Sequence, residues 1–117
     1  MKYYLAGPNT GMPDCGYPAF ADASKWLRDL GYDVVSPHEI QEPADVPEGE
    51  WSPEAVRLDI QDGLIHCGGI ILLPGWTRSK GSIVEFNLAM GLGMAVYFFQ
   101  PRTGMLMRMD RPDVEWI

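Results

Sequence analysis

The chain has 117 residues, in which sixteen Asp and Glu outnumber nine Lys and Arg and give a formal net charge of −7. This length suits a single domain over residues 1–117, and 46% hydrophobic with 21% charged residues is typical of a folded globular protein, not a disordered one. An acidic surface repels a phosphate backbone, so we do not expect a nucleic acid partner.

Membrane and metal partners are also unexpected. The apolar run at 68–74 is far shorter than the roughly 18 residues of a membrane span, and the first residues lack the long apolar region of a secretory signal. Cys15 and Cys67 have no CxxC spacing and no surrounding cluster of metal-ligating residues. We therefore expect a soluble cytoplasmic protein with reduced thiols and no cofactor.

The first part of the chain predicts a strand, a long loop and a helix. Residues 3–6 form a short apolar run that ends at Gly-Pro, which is typical of a buried strand. Residues 7–18 are rich in glycine and proline and predict a loop. Helical spacing over 19–30 predicts an amphipathic helix that Gly31 closes. Its apolar face consists of Phe20, Ala23, Trp26, Leu27 and Leu30.

The middle of the chain predicts a strand, an acidic loop and a second helix. Residues 32–37 predict the strand, and the acidic, proline-broken stretch 37–52 predicts a loop or a lid. Ser52 and Pro53 form a helix start, and the four-residue repeat that follows predicts a helix to about Cys67.

A third strand, a third helix and a fourth strand are predicted next, at 69–73, 82–91 and 94–99. The tail at 100–117 carries several methionines and leaves three alternatives open, namely a fifth strand, a short helix or a subunit contact.

This alternation of apolar strands with helices predicts the fold. Strands that are apolar throughout belong to a parallel sheet with both faces covered. We predict a doubly wound α/β fold with a parallel sheet of four to five strands and flanking helices. In such a sheet ligands bind beyond the carboxyl ends of the strands, so the loops after the first and third strands are candidate binding segments.

The loop after the third strand runs directly into a helix. Ser79, Gly81 and Ser82 place a hydroxyl and unpaired backbone N–H groups at the helix N-terminus, which attracts a phosphate or a carboxylate. A simple helix cap explains the same serines equally well. Neither loop matches GxxxxGK[ST] or GxGxxG, so nucleoside triphosphate hydrolysis and dinucleotide binding are not supported.

Glu85 lies on the same face of this helix as Gly81, about 6 Å further along the axis. Its neighbours Ile83, Val84 and Phe86 predict that this part of the helix is largely buried. A buried glutamate is costly unless it is paired or its charge has a use.

Asp59 is a second carboxylate between apolar neighbours, on the second predicted helix. Together with Glu85 it supplies the two carboxylates of glycosyl chemistry, one as nucleophile and one to manage the proton of the leaving group. A surface salt bridge with Arg57 or Arg28 is the alternative interpretation.

These residues resemble the nucleoside 2-deoxyribosyltransferase superfamily, which includes nucleoside 5′-monophosphate N-glycosidases and small, often phage-encoded members. The resemblance covers about the first hundred residues. Its motifs are Tyr4-Leu5-Ala6-Gly7-Pro8, Arg57-x-Asp59-Ile60, Leu72-Leu73-Pro74-Gly75-Trp76 and Ser79-x-Gly81-x-x-x-Glu85.

The resemblance implies a flavodoxin-like sheet, a bacterial or phage-infected host cytosol, and a homodimer or a dimer of dimers. It implies that Glu85 is the nucleophile, that Asp59 helps the base depart, and that Tyr4 orients the nucleophile. It further implies substrate contacts at Gly7, Asn9, Thr10, Gly11, Ser79 and Gly81.

Serine at position 79 implies a 5′-monophosphate substrate, because relatives that act on free nucleosides tend to carry an acidic residue there. We therefore expect hydrolysis of a (deoxy)ribonucleoside 5′-monophosphate through a covalent glycosyl intermediate. Two alternatives are a deoxyribosyltransferase that exchanges bases and a catalytically silent nucleotide-binding protein.

Overall fold

The computed structural model describes residues 1–8, 17–40 and 53–109. The strands and helices in these ranges are β1 (Lys2–Ala6), α1 (Tyr17–Asp29), β2 (Asp33–Val35), α2 (Pro37–Ile40), α3 (Pro53–Asp62), β3 (Gly69–Leu72), α4 (Lys80–Gly91), β4 (Ala95–Gln100) and β5 (Met105–Arg108). Short 3-10 turns at Leu64–His66 and Trp76–Arg78 precede β3 and α4.

The strands form one sheet in the order β2-β1-β3-β4-β5. The first four are parallel, and β5 runs antiparallel to β4. The strand order reverses between β1 and β3, so the chain winds outward in both directions from the centre of the sheet. The predicted doubly wound α/β fold is confirmed, with an antiparallel edge strand added to the parallel core.

Two apolar clusters cover the two faces of the sheet. Because side chains alternate along a strand, Leu5 of β1 packs with α1 residues on one face, whereas Tyr4 packs with Ala89 of α4 and the turn residue Leu64 on the other. Tyr4 is in register with Val35 on β2 and Ile70 on β3. The hydroxyl-bearing side chain of Tyr4 is therefore directed to the face that carries α3 and α4.

Several predicted boundaries were wrong. The helix predicted to reach Cys67 ends at Asp62, because Gly63 interrupts it and a 3-10 turn follows. The stretch predicted as a loop from residue 37 begins with the single helical turn α2, and its remainder lies outside the described residues. Helix α4 begins at Lys80 rather than Ser82, since Ser79 caps it.

Three alternatives were left open for the tail, and the structure shows the strand, at residues 105–108. The turn that reverses the chain ends at Gly104, whose φ of 70° is left-handed. The carbonyl of Gly104 accepts a hydrogen bond from Trp26 Nε1 at 3.1 Å, so β5 is tied to α1. Residues 110–117 lie outside the described residues.

Parts of two predicted apolar faces are exposed. Trp26 and Leu30, which the spacing placed on the apolar face of the predicted helix, are 50% and 58% exposed, and Leu30 lies just beyond the end of α1. Ile83 and Val84 on α4 are 38% and 43% exposed, although Glu85 beside them is buried. No helix within the described ranges is long and apolar enough to cross a membrane.

Candidate active site

Tyr4 and Glu85 meet in the core beneath α4. The Tyr4 hydroxyl donates a hydrogen bond to Glu85 Oε2. This bond joins the middle of β1 to the second turn of α4. Tyr4 is fully buried and Glu85 is 5% exposed. The helix presents Glu85 inward while Ile83 and Val84 face outward, as the 3.6-residue period requires.

Asp59 completes the group from α3. It is 3% exposed, so it lies in the interior and not on the surface, where the salt-bridge interpretation placed it. Arg28, which that alternative offered as a partner, forms an ion pair with Glu39 on α2 at 2.5 Å. Asp59 is close enough to raise the pKa of both Tyr4 and Glu85 through its negative charge. We call Tyr4, Asp59 and Glu85 the acidic cluster.

Burial dominates the electrostatics of the acidic cluster. Loss of water raises the pKa of Glu85 well above its ordinary 4.5, the hydrogen bond from Tyr4 lowers it, and the charge of Asp59 raises it further. Burial also raises the pKa of Tyr4 well above 10.0, and the neighbouring carboxylates add to that rise. Tyr4 is therefore a hydrogen-bond donor at neutral pH, and it is the group that favours the ionised form of Glu85.

Ser79 caps the N-terminus of α4. Its side-chain oxygen accepts a hydrogen bond from the Ser82 backbone N–H at 3.3 Å, and Ser79 is 4% exposed. The capping interpretation of Ser79 therefore holds, and accepting this bond does not use the hydroxyl hydrogen. Gly81 is buried in the first turn of the same helix.

A hydrogen bond fastens the end of β1 to the start of α4. Ser82 Oγ donates to the backbone oxygen of Gly7 at 2.8 Å. A Cβ at Gly7 would lie 2.9 Å from Leu73 Cβ, so glycine there permits close contact between the segments that follow β1 and β3. This packing explains Gly7 without a ligand. The other residues of this loop that were predicted to contact the substrate, Asn9, Thr10 and Gly11, lie outside the described residues.

The sequence analysis missed two contributors to the site. Gly63 lies where α3 ends, next to the Tyr4 ring and to Ile40 of α2. A glycine inside a predicted helix was the available signal, since it often marks a helix end. No local pattern could have indicated Ile40.

Trp76 is partly buried and packs against the core. Its ring packs on Phe86 with 4.8 Å between centroids and on Phe98 with 6.4 Å. Within the described part of the chain, no group of three His, Cys, Asp or Glu side chains could hold a metal ion.

The sequence of residues 1–98 matches a family model described as a domain of unknown function, DUF4406. The chain belongs to the DUF4406 family. No significant match was found among curated proteins.

The solved structure of a 2-deoxyribosyltransferase from the psychrotolerant bacterium Bacillus psychrosaccharolyticus is similar to this DUF4406 chain. The TM-score is 0.59 and the sequences are 28% identical over 86% of this chain and 73% of the other. The likeness supports placing this DUF4406 protein in the nucleoside deoxyribosyltransferase-like superfamily.

Proposed function

We propose that this protein cleaves the N-glycosidic bond of a nucleoside 5′-monophosphate and releases the free base and the sugar 5-phosphate. The observation that carries the proposal is the buried hydrogen bond between Tyr4 and Glu85, with Asp59 beside them, under the N-terminus of α4. Burying two carboxylates and one tyrosine in a core costs folding free energy, and a glycosyl transfer site has a use for each of these groups.

The reaction proceeds in two displacements. The ionised carboxylate of Glu85 attacks the anomeric carbon as the bond from that carbon to the base nitrogen breaks, and the base leaves with the bonding electrons. Asp59, in its protonated form, donates its proton to the departing base and becomes a carboxylate. Water then attacks the same carbon and gives its proton to the Asp59 carboxylate, while the ester bond to Glu85 breaks and Glu85 leaves as a carboxylate. The Tyr4 hydroxyl orients Glu85 and favours its ionised form throughout.

The 5′-phosphate of the substrate is assigned to the start of α4. Backbone N–H groups and the helix dipole attract an anion there, and the hydroxyl of Ser79 supplies a neutral donor. An acidic side chain at position 79 would repel a phosphate and accept a hydrogen bond from a free 5′-hydroxyl instead.

A deoxyribosyltransferase is the second candidate, and the likeness to the Bacillus psychrosaccharolyticus enzyme favours it. Both reactions share the glycosyl intermediate and differ only in whether water or a second base reaches it. Chromatography of the products with and without an acceptor base separates the two: a hydrolase releases base and sugar phosphate in either case, whereas a transferase needs the acceptor.

The first test replaces the proposed nucleophile. In Glu85→Gln we expect base release from every nucleoside monophosphate to fall by several orders of magnitude, because the amide cannot form the glycosyl ester. Nucleotide binding, followed by ligand-induced thermal stabilisation, should persist. Glu54→Gln, at the exposed start of α3, is the matched control and should keep full activity. Retention of most activity in Glu85→Gln would refute the mechanism. Binding without base release in the wild type would favour a silent nucleotide-binding protein.

The second test concerns the phosphate. We expect the wild type to prefer a monophosphate to its nucleoside by at least about tenfold in kcat/KM, since a charge-assisted hydrogen bond contributes about 1.5–3 kcal/mol. Ser79→Asp should abolish or invert this preference. Aspartate and asparagine both cap helices as well as serine does, so Ser79→Asn is the neutral control that keeps α4 intact and should keep the preference. Equal rates for nucleoside and monophosphate in the wild type would contradict the nucleotide assignment.

A further inference from the structure

Gly63 lies at the point where α3 meets the acidic cluster. The helix ends at Asp62, and Gly63 is buried before the 3-10 turn Leu64–His66. A Cβ built on Gly63 would lie 2.7 Å from the Asp59 backbone oxygen, 2.9 Å from Ile40 Cδ1 and 3.0 Å from Tyr4 Cε2. The φ of Gly63 is −130°, outside the left-handed region that favours glycine. The absent side chain is therefore the relevant property.

The three neighbours differ in how easily they can move. Ile40 Cδ1 is the end of a flexible side chain and can turn away at little cost. The Asp59 carbonyl belongs to the backbone of α3, and the Tyr4 ring is fully enclosed in the core. An alanine methyl at position 63 must therefore displace the ring of Tyr4, the last turn of α3, or both.

We propose that Gly63 is a positioning residue for the acidic cluster. By leaving out a side chain, it lets the end of α3 approach the Tyr4 ring to van der Waals contact. This close approach keeps the Tyr4 hydroxyl on Glu85 and sets the position of Asp59. The inference about catalysis rests on the proposed function, whereas the inference about geometry does not.

The hydrogen bond from Tyr4 to Glu85 provides a readout that is independent of activity. This bond lowers the pKa of the Glu85 carboxyl, against burial and the charge of Asp59, which both raise it. Burial raises the pKa of Tyr4, and the charges of Glu85, Asp59 and the Cys67 thiol raise it further. If the ring moves, the bond weakens and the pKa of Glu85 rises further.

The experiment follows the Glu85 carboxyl carbon by NMR as a function of pH in protein labelled with ¹³C-glutamate, with Glu85→Gln used to assign the signal. In Gly63→Ala we expect the midpoint of the Glu85 titration to move to higher pH, in the same direction as in Tyr4→Phe. We also expect kcat for base release to fall about tenfold to 100-fold with little change in KM, as for a small misplacement of reacting groups.

Two further variants serve as controls. Gly91→Ala is the matched glycine substitution, because a Cβ at Gly91 meets nothing within 4 Å, and it should leave the Glu85 midpoint and kcat unchanged. Ile40→Val removes the Cδ1 atom and gives the new methyl group more room. Gly63→Ala should remain defective in the Ile40→Val background, since the Tyr4 ring and the Asp59 carbonyl are still in the way.

Each outcome decides the inference. An unchanged Glu85 midpoint in Gly63→Ala, or its return to the wild-type value in the Ile40→Val background, overturns the positioning role. If Gly63→Ala fails to fold both alone and in the Ile40→Val background, the positioning role is overturned as well, since Gly63 would then be required for folding. If the wild type releases no base from any nucleotide, the proposed function fails while the NMR comparison still tests the geometry.

Discussion

Burial of Glu85 destabilises the folded protein at neutral pH. The ordinary pKa of a glutamate is 4.5, and that of Glu85 in the folded chain is raised well above it, chiefly by burial. Between these two values the folded state binds more protons than the unfolded state, so the free energy of unfolding decreases as the pH rises. A group that serves catalysis commonly has such a cost.

Glu85→Gln should therefore be more stable than the wild type at pH 7 to 8. Glutamine keeps an oxygen that can accept the Tyr4 hydrogen bond and carries no charge to bury. The advantage should disappear below the ordinary glutamate pKa, where Glu85 is protonated in both states. Urea unfolding of the two proteins at a series of pH values measures this difference. A variant that is less stable than the wild type at pH 8 would show that the carboxylate is well paired in the fold.

At the scale of an element, the attachment of β5 depends on Gly104. Residue 104 must be glycine for two reasons: its φ is left-handed, and a Cβ built there would clash with the Trp26 indole. The indole also donates to the Gly104 carbonyl. The turn before β5 and the side of α1 thus fit together only when residue 104 has no side chain.

Gly104→Ala should reduce stability more than Gly93→Ala. Both glycines are left-handed, with φ of 70° and 72°, but a Cβ at Gly93 meets nothing within 4 Å. Gly93→Ala should cost about 1–2 kcal/mol for backbone strain alone, and Gly104→Ala about 1–3 kcal/mol more for the clash with Trp26. Thermal or urea unfolding measures both. Equal losses of stability in the two variants would mean that the Trp26 side chain moves aside freely.

At the scale of the whole molecule, apolar side chains are exposed on α4 and on β5. Helix α4 has apolar residues on its inner side and also on its outer side, where Ile83 and Val84 are exposed, and a helix of this kind is typically covered. Met105 and Met107 on β5 are 62% and 53% exposed. Two copies of a chain with a net charge of −7 repel each other least where they meet through uncharged surface. We propose that a second copy binds the outer face of α4 in a homodimer.

Val84→Glu should dissociate this homodimer. An isologous contact would bring the new carboxylates of both copies together, in addition to the loss of apolar contact. Sedimentation velocity at micromolar concentration measures the change. Leu30→Glu, which alters an exposed leucine at the end of α1, should leave the assembly unchanged. A wild-type protein that is monomeric under these conditions would refute the proposal.

Properties that depend on neighbouring residues could be predicted from the sequence. Apolar runs and helical periodicity predicted α1, α3, α4 and the four parallel strands, because burial on one or both faces imposes these spacings locally. The spacing of Ser79, Gly81 and Glu85 placed a helix start and a carboxylate on one helix, since four residues make about one turn. The alternation of elements was sufficient to predict the fold class.

Properties that depend on distant residues could not be predicted from spacing. Tyr4 and Glu85 are 81 positions apart, and only the superfamily resemblance suggested that they meet. The burial of Asp59, the exposure of Ile83 and Val84 and the approach of Gly63 to Tyr4 follow from how α3 and α4 lie on the sheet. The antiparallel direction of β5 follows from its pairing with β4 at the sheet edge. Packing between elements is set by the shape and volume of side chains from the whole chain, and a local pattern does not contain that information.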